Sequence, residues 1–333
     1  MNAREETAVG VRQAVRPEAP HTYYHYPAMK EPFWGWEVIA YFFLGGIAAG
    51  SHLIATLAHL FGSREDRPVS RAGRYIAFAA IAISPLLLIR DLGRPERFRN
   101  MLRILKSRSP MSTGSWGLAG LGLFATLGAA RQAVEDSLID RDSLVARAIG
   151  RIPLAASGVL GTLAAFFVGS YTGVLLSFTN TPLWARNHLL MGPLYQTSAL
   201  STGLAAISTA LAATGNVPRR TRRWLGLASD VVGLAEAGLA AGAIASSGPL
   251  GRPLTRRRYA LPFWLGSVGL GLVAPLLLRR NLDNASPREV RTRLIVSGLS
   301  VLLGGLILRW VTVMAGRESA REPQGYLTFT SGR

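Results

Sequence analysis

The sequence contains no cysteine and very little histidine. Of its 333 residues none is Cys and five are His. Without cysteine the protein can form no disulfide, no thiolate metal site and no cysteine-ligated iron–sulfur cluster of its own. Acidic residues are also scarce, with 19 Asp and Glu against 37 Lys and Arg, for a formal net charge of +18. We therefore expect no metal site within this chain.

The basic residues that are in excess lie at the ends of long apolar runs. Arginines in such positions meet lipid phosphates and help to fix a helix in the bilayer. The sequence has no basic helix interleaved with aromatic residues and no nucleic-acid motif. The positive charge therefore indicates membrane lipid, and not nucleic acid, as the partner.

Long apolar runs dominate the sequence and leave no soluble domain of useful size between them. A run of about 18 or more mainly apolar residues can cross a bilayer as a helix. We predict an all-α polytopic membrane protein with about eight transmembrane helices packed as bundles. A polar N-terminal arm would cover residues 1–33, the transmembrane domain residues 34–314 and a C-terminal tail residues 315–333. The predicted spans are Trp34–Phe61, Ala72–Arg90, Gly114–Ala133, Pro153–Phe178, His188–Ala213, Trp224–Ser246, Tyr259–Leu278 and Val290–Met314.

The first predicted span carries a stripe of polar side chains. At 100° per residue, Glu37, Tyr41, His52 and His59 fall within about a sixth of the helix circumference. Ionisable groups inside a membrane face protein or water and are candidates for function. His52 and His59 are therefore candidates for proton transfer, or else they are hydrogen-bonded to neighbouring helices with a structural role only.

The sixth predicted span contains two carboxylic acids, Asp230 and Glu236. They are about 120° apart around a helix and can both face the protein interior. Burial would favour their neutral forms, which suits either proton transfer or a structural hydrogen bond between helices.

A charged turn joins the second and third predicted spans. Asp91 precedes Arg94 by three residues, so the two can form an ion pair if the helix continues for one more turn. The alternative is a structural helix stop with an ion pair. Cationic residues follow at Arg97, Arg99, Arg103 and Lys106. They form either a solvated face or a docking surface for an acidic partner.

Three blocks of this sequence resemble the NrfD/PsrC family, the quinone-reactive integral membrane subunits of polysulfide reductase-type complexes. Together the blocks span roughly residues 34–184. The first block is Trp34-Gly35-Trp36-Glu37 with Tyr41-Phe42-Phe43-Leu44-Gly45-Gly46-Ile47-Ala48-Ala49-Gly50, the second is Asp91-Leu92-Gly93-Arg94-Pro95-Glu96-Arg97-Phe98, and the third is Tyr171-Thr172-Gly173-Val174-Leu175-Leu176-Ser177 with Thr181-Pro182-Leu183-Trp184.

This resemblance implies a membrane anchor that binds quinone or quinol, either menaquinone or ubiquinone, and holds no haem or metal. It implies an iron–sulfur (ferredoxin-like) subunit docked at the cationic residues, with a molybdopterin-type catalytic subunit beyond it. A family pattern with His near the position of Tyr41 leaves the proton acceptor open here, because a phenol is a poor base at neutral pH. The implied quinone-binding residues are Glu37, Tyr41, Asp91, Arg94 and Tyr171.

The resemblance also implies a location in the inner (cytoplasmic) membrane of a bacterial or archaeal cell. The N-terminus and the Asp91 turn would then face the periplasm or the cell exterior. Lys and Arg are about equally frequent in the connections on the two sides, so the positive-inside rule does not decide the orientation.

Two other functions remain open at this point. A haem b-containing anchor with two haems would need four membrane histidines, whereas His52, His59 and His188 are the histidines in or at the predicted spans. A proton-coupled transporter or channel could use His52, Asp230 and Glu236, although we find no clear internal repeat of the kind common in transporters.

Overall fold

The structure is a computed structural model that describes residues 32, 34–215, 217–255 and 258–321. Over these ranges the protein consists of helices joined by turns, without a β-strand. Apart from Pro32, the predicted N-terminal arm lies outside the described residues, as does the end of the predicted tail from residue 322. The predicted all-α class is confirmed.

The helices follow one another with short connections. Four short α-helices lie in the connections at the ends of the bundle. The seventh long segment is a π-helix, Pro262–Val273, that continues directly into a fifth short α-helix. In chain order the α-helices are α1 Trp36–Phe61, α2 Arg67–Asp91, α3 Phe98–Arg103, α4 Pro110–Glu135, α5 Leu144–Gly150, α6 Leu154–Ser177, α7 Pro182–Arg186, α8 His188–Thr214, α9 Arg219–Ser247, α10 Arg252–Thr255, α11 Ala274–Leu278 and α12 Pro287–Arg321.

Each of the eight predicted spans coincides with a long helical segment. By length and composition, five helices of the described residues are apolar enough to cross a membrane, and a shorter apolar segment covers Pro262–Leu278. The predicted polytopic membrane protein is therefore confirmed. Several helix ends differ from the predicted spans by a few residues. Helix α12 continues past Met314 to Arg321, so residues 315–321 are helical, and α2 and α9 each begin five residues before the predicted start.

Helix α1 lies at the centre of the bundle. In its most apolar stretch 83% of the residues are buried, and it packs against α2, α6, α8 and α12. Glycine allows the closest of these approaches, because a Cβ at Gly50 would collide with the backbone oxygen of Ala199 on α8. Small residues play this role in membrane bundles, where close backbone packing stabilises helix association.

Consecutive long helices run in opposite directions, so the bundle has two ends. We call the first rim the end that holds Glu37, Asp91, Pro110 and Ser177, and the second rim the opposite end. At the first rim Arg90 Nε lies 3.7 Å from Glu37 Oε1. At the second rim Asp66, in the turn after α1, accepts hydrogen bonds from Thr221 Oγ1 at 2.8 Å and Trp224 Nε1 at 2.7 Å on α9.

A buried arginine joins three helices in the interior. Arg309 on α12 is 1% exposed. Its Nε donates to the backbone oxygen of Phe42 on α1 at 3.1 Å, and its Nη1 donates to Ser198 Oγ on α8 at 3.1 Å and to Gly305 O at 2.8 Å. Its guanidinium carbon also lies 5.8 Å from the ring centroid of Tyr195. These contacts hold α1, α8 and α12 in one register.

We expect Arg309→Leu to destabilise the protein by roughly 3–5 kcal/mol, because it removes the cation beside the buried acid Glu236 and leaves the Ser198 hydroxyl without its donor. Thermal unfolding of the detergent-purified protein would measure the change. Arg288→Leu is the matched control, since Arg288 is an exposed arginine on the same helix. Equal unfolding temperatures for the two variants would contradict the structural role of Arg309.

Candidate functional site

Two carboxylates and an arginine meet at the first rim. Glu37 lies in the first turn of α1, where a negative charge interacts favourably with the helix dipole. It forms the ion pair with Arg90, whose guanidinium carbon lies 5.4 Å from the ring centroid of Trp36. Asp91, the last residue of α2, is exposed and close enough to Glu37 for the two carboxylates to repel each other. This end of α2 is therefore anchored to the start of α1.

Asp91 and Arg94 do not lie on one continuous helix, so the conditional pairing of the two across one helical turn does not form. Helix α2 ends at Asp91, and Gly93 follows with a φ of 64°, a left-handed conformation that glycine adopts readily. Arg94 is then extended, with φ −132° and ψ 90°. The chain therefore takes the alternative, a helix stop, and the neighbouring Arg90 forms an ion pair with Glu37 on α1. Arg94 is exposed at the same rim.

Two tyrosines lie just inside the first rim, and both are 6% exposed. The Tyr171 hydroxyl on α6 donates to the backbone oxygen of Pro110, the first residue of α4. Its ring stacks on Phe167, with 5.2 Å between ring centroids. Tyr41 on α1 is near enough to Tyr171 for the two phenols to interact electrostatically. The structure thus brings together four of the five residues predicted to bind quinone, with Arg94 on the adjacent turn.

An exposed cationic segment flanks these residues. The predicted docking residues lie on or beside the short helix α3, which packs against α4. Large apolar side chains are interspersed among them, with Ile104 52% and Leu105 59% exposed. Apolar groups next to cations on an exposed surface are typical of a protein interface. The docking residues Arg97, Arg99, Arg103 and Lys106 are all exposed.

The polar stripe of α1 continues away from the first rim. His52 is buried, and its Nε2 lies 3.3 Å from the backbone oxygen of Gly158 on α6. His59, two turns further along, is exposed and lines a cavity of about 750 Å³ at the second rim. The same cavity is lined by Arg74, a buried arginine whose Nη1 donates to Gln132 Oε1 at 2.6 Å.

An acid just beyond α4 supports this second-rim cavity. Asp136 accepts hydrogen bonds from Tyr75 Oη at 2.7 Å and from Arg71 Nε at 2.8 Å. Burial raises the pKa of the Asp136 carboxyl, but hydrogen bonds from Tyr75 and Gln132 and the charge of Arg71 outweigh that effect, so the pKa lies below its ordinary value. Asp136 is therefore a carboxylate at neutral pH and balances part of the arginine charge.

The two acids of α9 lie at different depths. Asp230 is near the second rim, where its Oδ1 accepts from Arg279 Nη2 at 2.7 Å. Glu236 is buried beside Ser198 and Ser201 of α8 and close to Arg309. The structure therefore does not bring the two predicted proton-transfer acids together. Over the described residues no cluster of three or more His, Cys, Asp or Glu side chains could hold a metal ion.

The sequence interpretation did not single out Arg309 or Arg74. Arg309 lies inside the apolar run of the last predicted span, and an arginine in such a place is a visible signal of a buried, hydrogen-bonded cation. Arg74 lies near the start of the second predicted span, where an arginine carries no such signal. The sequence interpretation also overlooked Gln196 on α8, which is buried against Gly169 and has no hydrogen-bond partner for either side-chain polar atom among the described residues. No comparable signal marks Gln196, because the sequence does not show which group a helical glutamine side chain will meet.

Comparison with known proteins places this arrangement in a family. The C polypeptide of polysulfide reductase from Wolinella succinogenes is 27% identical over 313 residues, which cover 85% of this chain and 94% of that protein. Protein NrfD of Escherichia coli is 26% identical over 305 residues, or 85% of this chain and 95% of that protein. The C component of selenate reductase from Mesobacillus selenatarsenatis is 31% identical over 83 residues, which are 25% of this chain and 19% of that protein.

The same relationship is found at the level of the whole family. The family model described as polysulphide reductase, NrfD matches residues 25–319, from the end of the predicted arm to the last turns of α12. The match includes both rims and all eight long helical segments. The chain therefore belongs to the NrfD family of polysulphide reductase-type membrane proteins.

Proposed function

We propose that this chain is the membrane subunit of a reductase complex, and that it exchanges electrons between a quinone and a docked iron–sulfur subunit. The observation that carries the proposal is the meeting of Glu37, Asp91, Tyr41 and Tyr171 at one rim, beside an exposed cationic segment. Two of its relatives are named as chains or subunits of reductases, which supports the assignment to such a complex.

The residues at the first rim suit a quinone or quinol headgroup. Such a ring needs apolar walls and a few hydrogen-bonding groups at its two oxygens. The ring of Phe167 on Tyr171 and the ring of Phe42, 5.5 Å from that of Tyr41, supply apolar surface. The phenols and carboxylates supply the polar groups. When bound, a quinone or quinol supplies two-electron, two-proton redox chemistry, and menaquinone and ubiquinone share that property.

The hydrogen bonding of Tyr171 indicates what its oxygen can do. A phenol has one hydrogen to donate, and Tyr171 directs it to the Pro110 backbone oxygen. Its oxygen can still accept a hydrogen bond, which suits the hydroxyl of a quinol. Asp91, exposed at the rim, can take up a proton and release it to water, while Arg90 offsets the negative charge of Glu37 beside it.

Proton handling in the interior would involve the groups deeper in the bundle. We assign this role to His52, His59, Asp230 and Glu236. His59 and Asp230 each line a cavity at the second rim, of about 750 Å³ and about 530 Å³ respectively, so both can exchange protons with water there. His52 and Glu236 are buried further in, beside the arginines Arg74 and Arg309 respectively.

The cationic segment would dock a ferredoxin-like iron–sulfur subunit with an acidic surface, and a molybdopterin-type catalytic subunit would lie beyond it. Opposite charges across such an interface speed association and fix its orientation. The complex would lie in the inner membrane of a bacterial or archaeal cell, with the first rim on the periplasmic or outer side. A reporter fused to the C-terminus tests this orientation, because α12 ends at the first rim; a cytoplasmic signal would contradict it.

We expect Asp91→Asn to lower quinone-linked turnover about 100-fold, as loss of a group that takes up the proton does. Tyr171→Phe should lower it about fivefold, as loss of one hydrogen bond does. Turnover with a soluble quinol or quinone analogue would measure both effects in the assembled complex.

The control for these variants is Glu96→Gln, which neutralises another exposed carboxylate in the same connection. It should leave turnover unchanged. Wild-type rates in both Asp91→Asn and Tyr171→Phe would remove the proposed quinone site from this rim.

Reversal of charge at Arg99 and Arg103 should release the iron–sulfur subunit while the membrane chain stays folded, because both side chains are exposed on α3. Co-purification through a tag on the membrane chain measures the retained partner. Arg151→Glu with Arg288→Glu is the matched control, since it reverses the charge of two exposed arginines at the second rim. Intact co-purification of the doubly reversed α3 variant would rule out docking on this segment.

A further inference from the structure

A cavity at the second rim has a lining unlike that of the interior. It measures about 530 Å³ and opens between α8, α9, the connection that follows α11 and the first turns of α12. Its described lining includes three arginines, Arg222, Arg223 and Arg279, with the carboxylate Asp230 and the amides of Asn281 and Asn284. Among the charged side chains of the described lining, three arginines stand against one carboxylate, which favours an anionic ligand.

Two donors in this cavity have no acceptor among the described residues. Ser297 on α12 is 1% exposed, and its hydroxyl has no hydrogen-bond partner among the described residues. Arg279 directs Nη2 to Asp230 at 2.7 Å, while its buried Nε has no partner in the described part of the chain. Buried donors are normally satisfied, and leaving one without an acceptor costs about 1–3 kcal/mol. A ligand with acceptor oxygens would satisfy both.

The N-terminus of α9 adds to the positive potential. Its first two turns carry Arg219, Arg220, Arg222 and Arg223 and no acidic residue in the first turn. A helix N-terminus already bears a partial positive charge, so arginines there repel the helix dipole and attract anions. Arg222 and Arg223 line the cavity and also interact with other groups of the protein.

The surface that leads away from the cavity is apolar and faces outward. In the most apolar stretch of α9 only 11% of the residues are buried. Leu227, which lines the cavity, is 67% exposed, and Val231 and Leu234 continue the same surface toward the middle of the bundle. On α11, Leu277 is 58% exposed. A ligand with an anionic head at the rim and long hydrocarbon chains below it matches this surface.

We propose that this cavity binds the phosphate headgroup of an anionic phospholipid, with the acyl chains lying along α9 and α11. The phosphate oxygens accept hydrogen bonds from Arg279 Nε and the Ser297 hydroxyl and lie within the field of Arg222 and Arg223. The apolar surface beside the cavity distinguishes a lipid from free phosphate, because free phosphate would use the charged lining alone. The bound lipid holds α9, which packs mainly against α8, to the α11 side of the bundle.

Lipid titration of the detergent-purified full-length protein tests the site. Phosphatidylglycerol should bind and raise the unfolding temperature. Phosphatidylcholine and inorganic phosphate should bind with much lower affinity and raise the unfolding temperature much less. The double variant Arg222→Gln with Arg223→Gln should weaken phosphatidylglycerol binding about 30-fold, because each arginine near a membrane surface strengthens lipid binding about fivefold. Ser297→Ala, which changes no charge, should weaken it about tenfold, as loss of a hydrogen bond to a charged group does.

The matched control is Arg219→Gln with Arg220→Gln, which removes two exposed arginines from the same turn of α9 outside the described lining of the cavity. Its affinity should stay within about twofold of that of the unaltered protein, since headgroup attraction is strongest at direct contact. Equal losses in the two double variants would show that only the general charge of α9 attracts lipid, and would overturn the proposal. Equal affinity for phosphatidylcholine, or for inorganic phosphate, would overturn it as well.

Discussion

A guanidinium inside a membrane bundle must find all its acceptors within the protein, because hydrocarbon offers none. Arg309 meets this constraint by donating to α1, to α8 and to its own helix. Its position requires that the three helices pack closely, which the small residues of α1 and α8 allow. The remaining long helices pack against these three or against one another.

The two rims differ in the chemistry that they present. Carboxylates and phenols meet at the first rim, with the cationic turn beside them. At the second rim arginines predominate, with Asp66, Asp136 and Asp230 each bonded to groups on other helices. The proposed quinone and partner sites therefore lie at one end, and the proposed lipid site at the other. A lipid that holds α9 in place would stabilise the bundle without contact with the residues of the proposed quinone site.

The eight spans could be predicted because hydrophobic length is a property of each segment alone. The order of the spans also places Glu37, Asp91 and Tyr171 at one end, because consecutive spans alternate in direction. The end of α2 could not be predicted in the same way, since the choice between one more turn and a glycine stop depends on tertiary contacts such as the Arg90–Glu37 pair. Asp230 and Glu236 likewise found separate partners on different helices.

The sequence by itself determined the fold class, the membrane setting and the side of the bundle on which each candidate residue lies, because these depend on local hydropathy and on the order of the spans. Only the tertiary structure decided which groups touch. It paired Arg90 with Glu37, buried Arg309 between three helices and left the Ser297 hydroxyl facing a cationic cavity. Such contacts join residues far apart in the sequence, and local pattern carries no information about which of several neighbouring helices a side chain will meet.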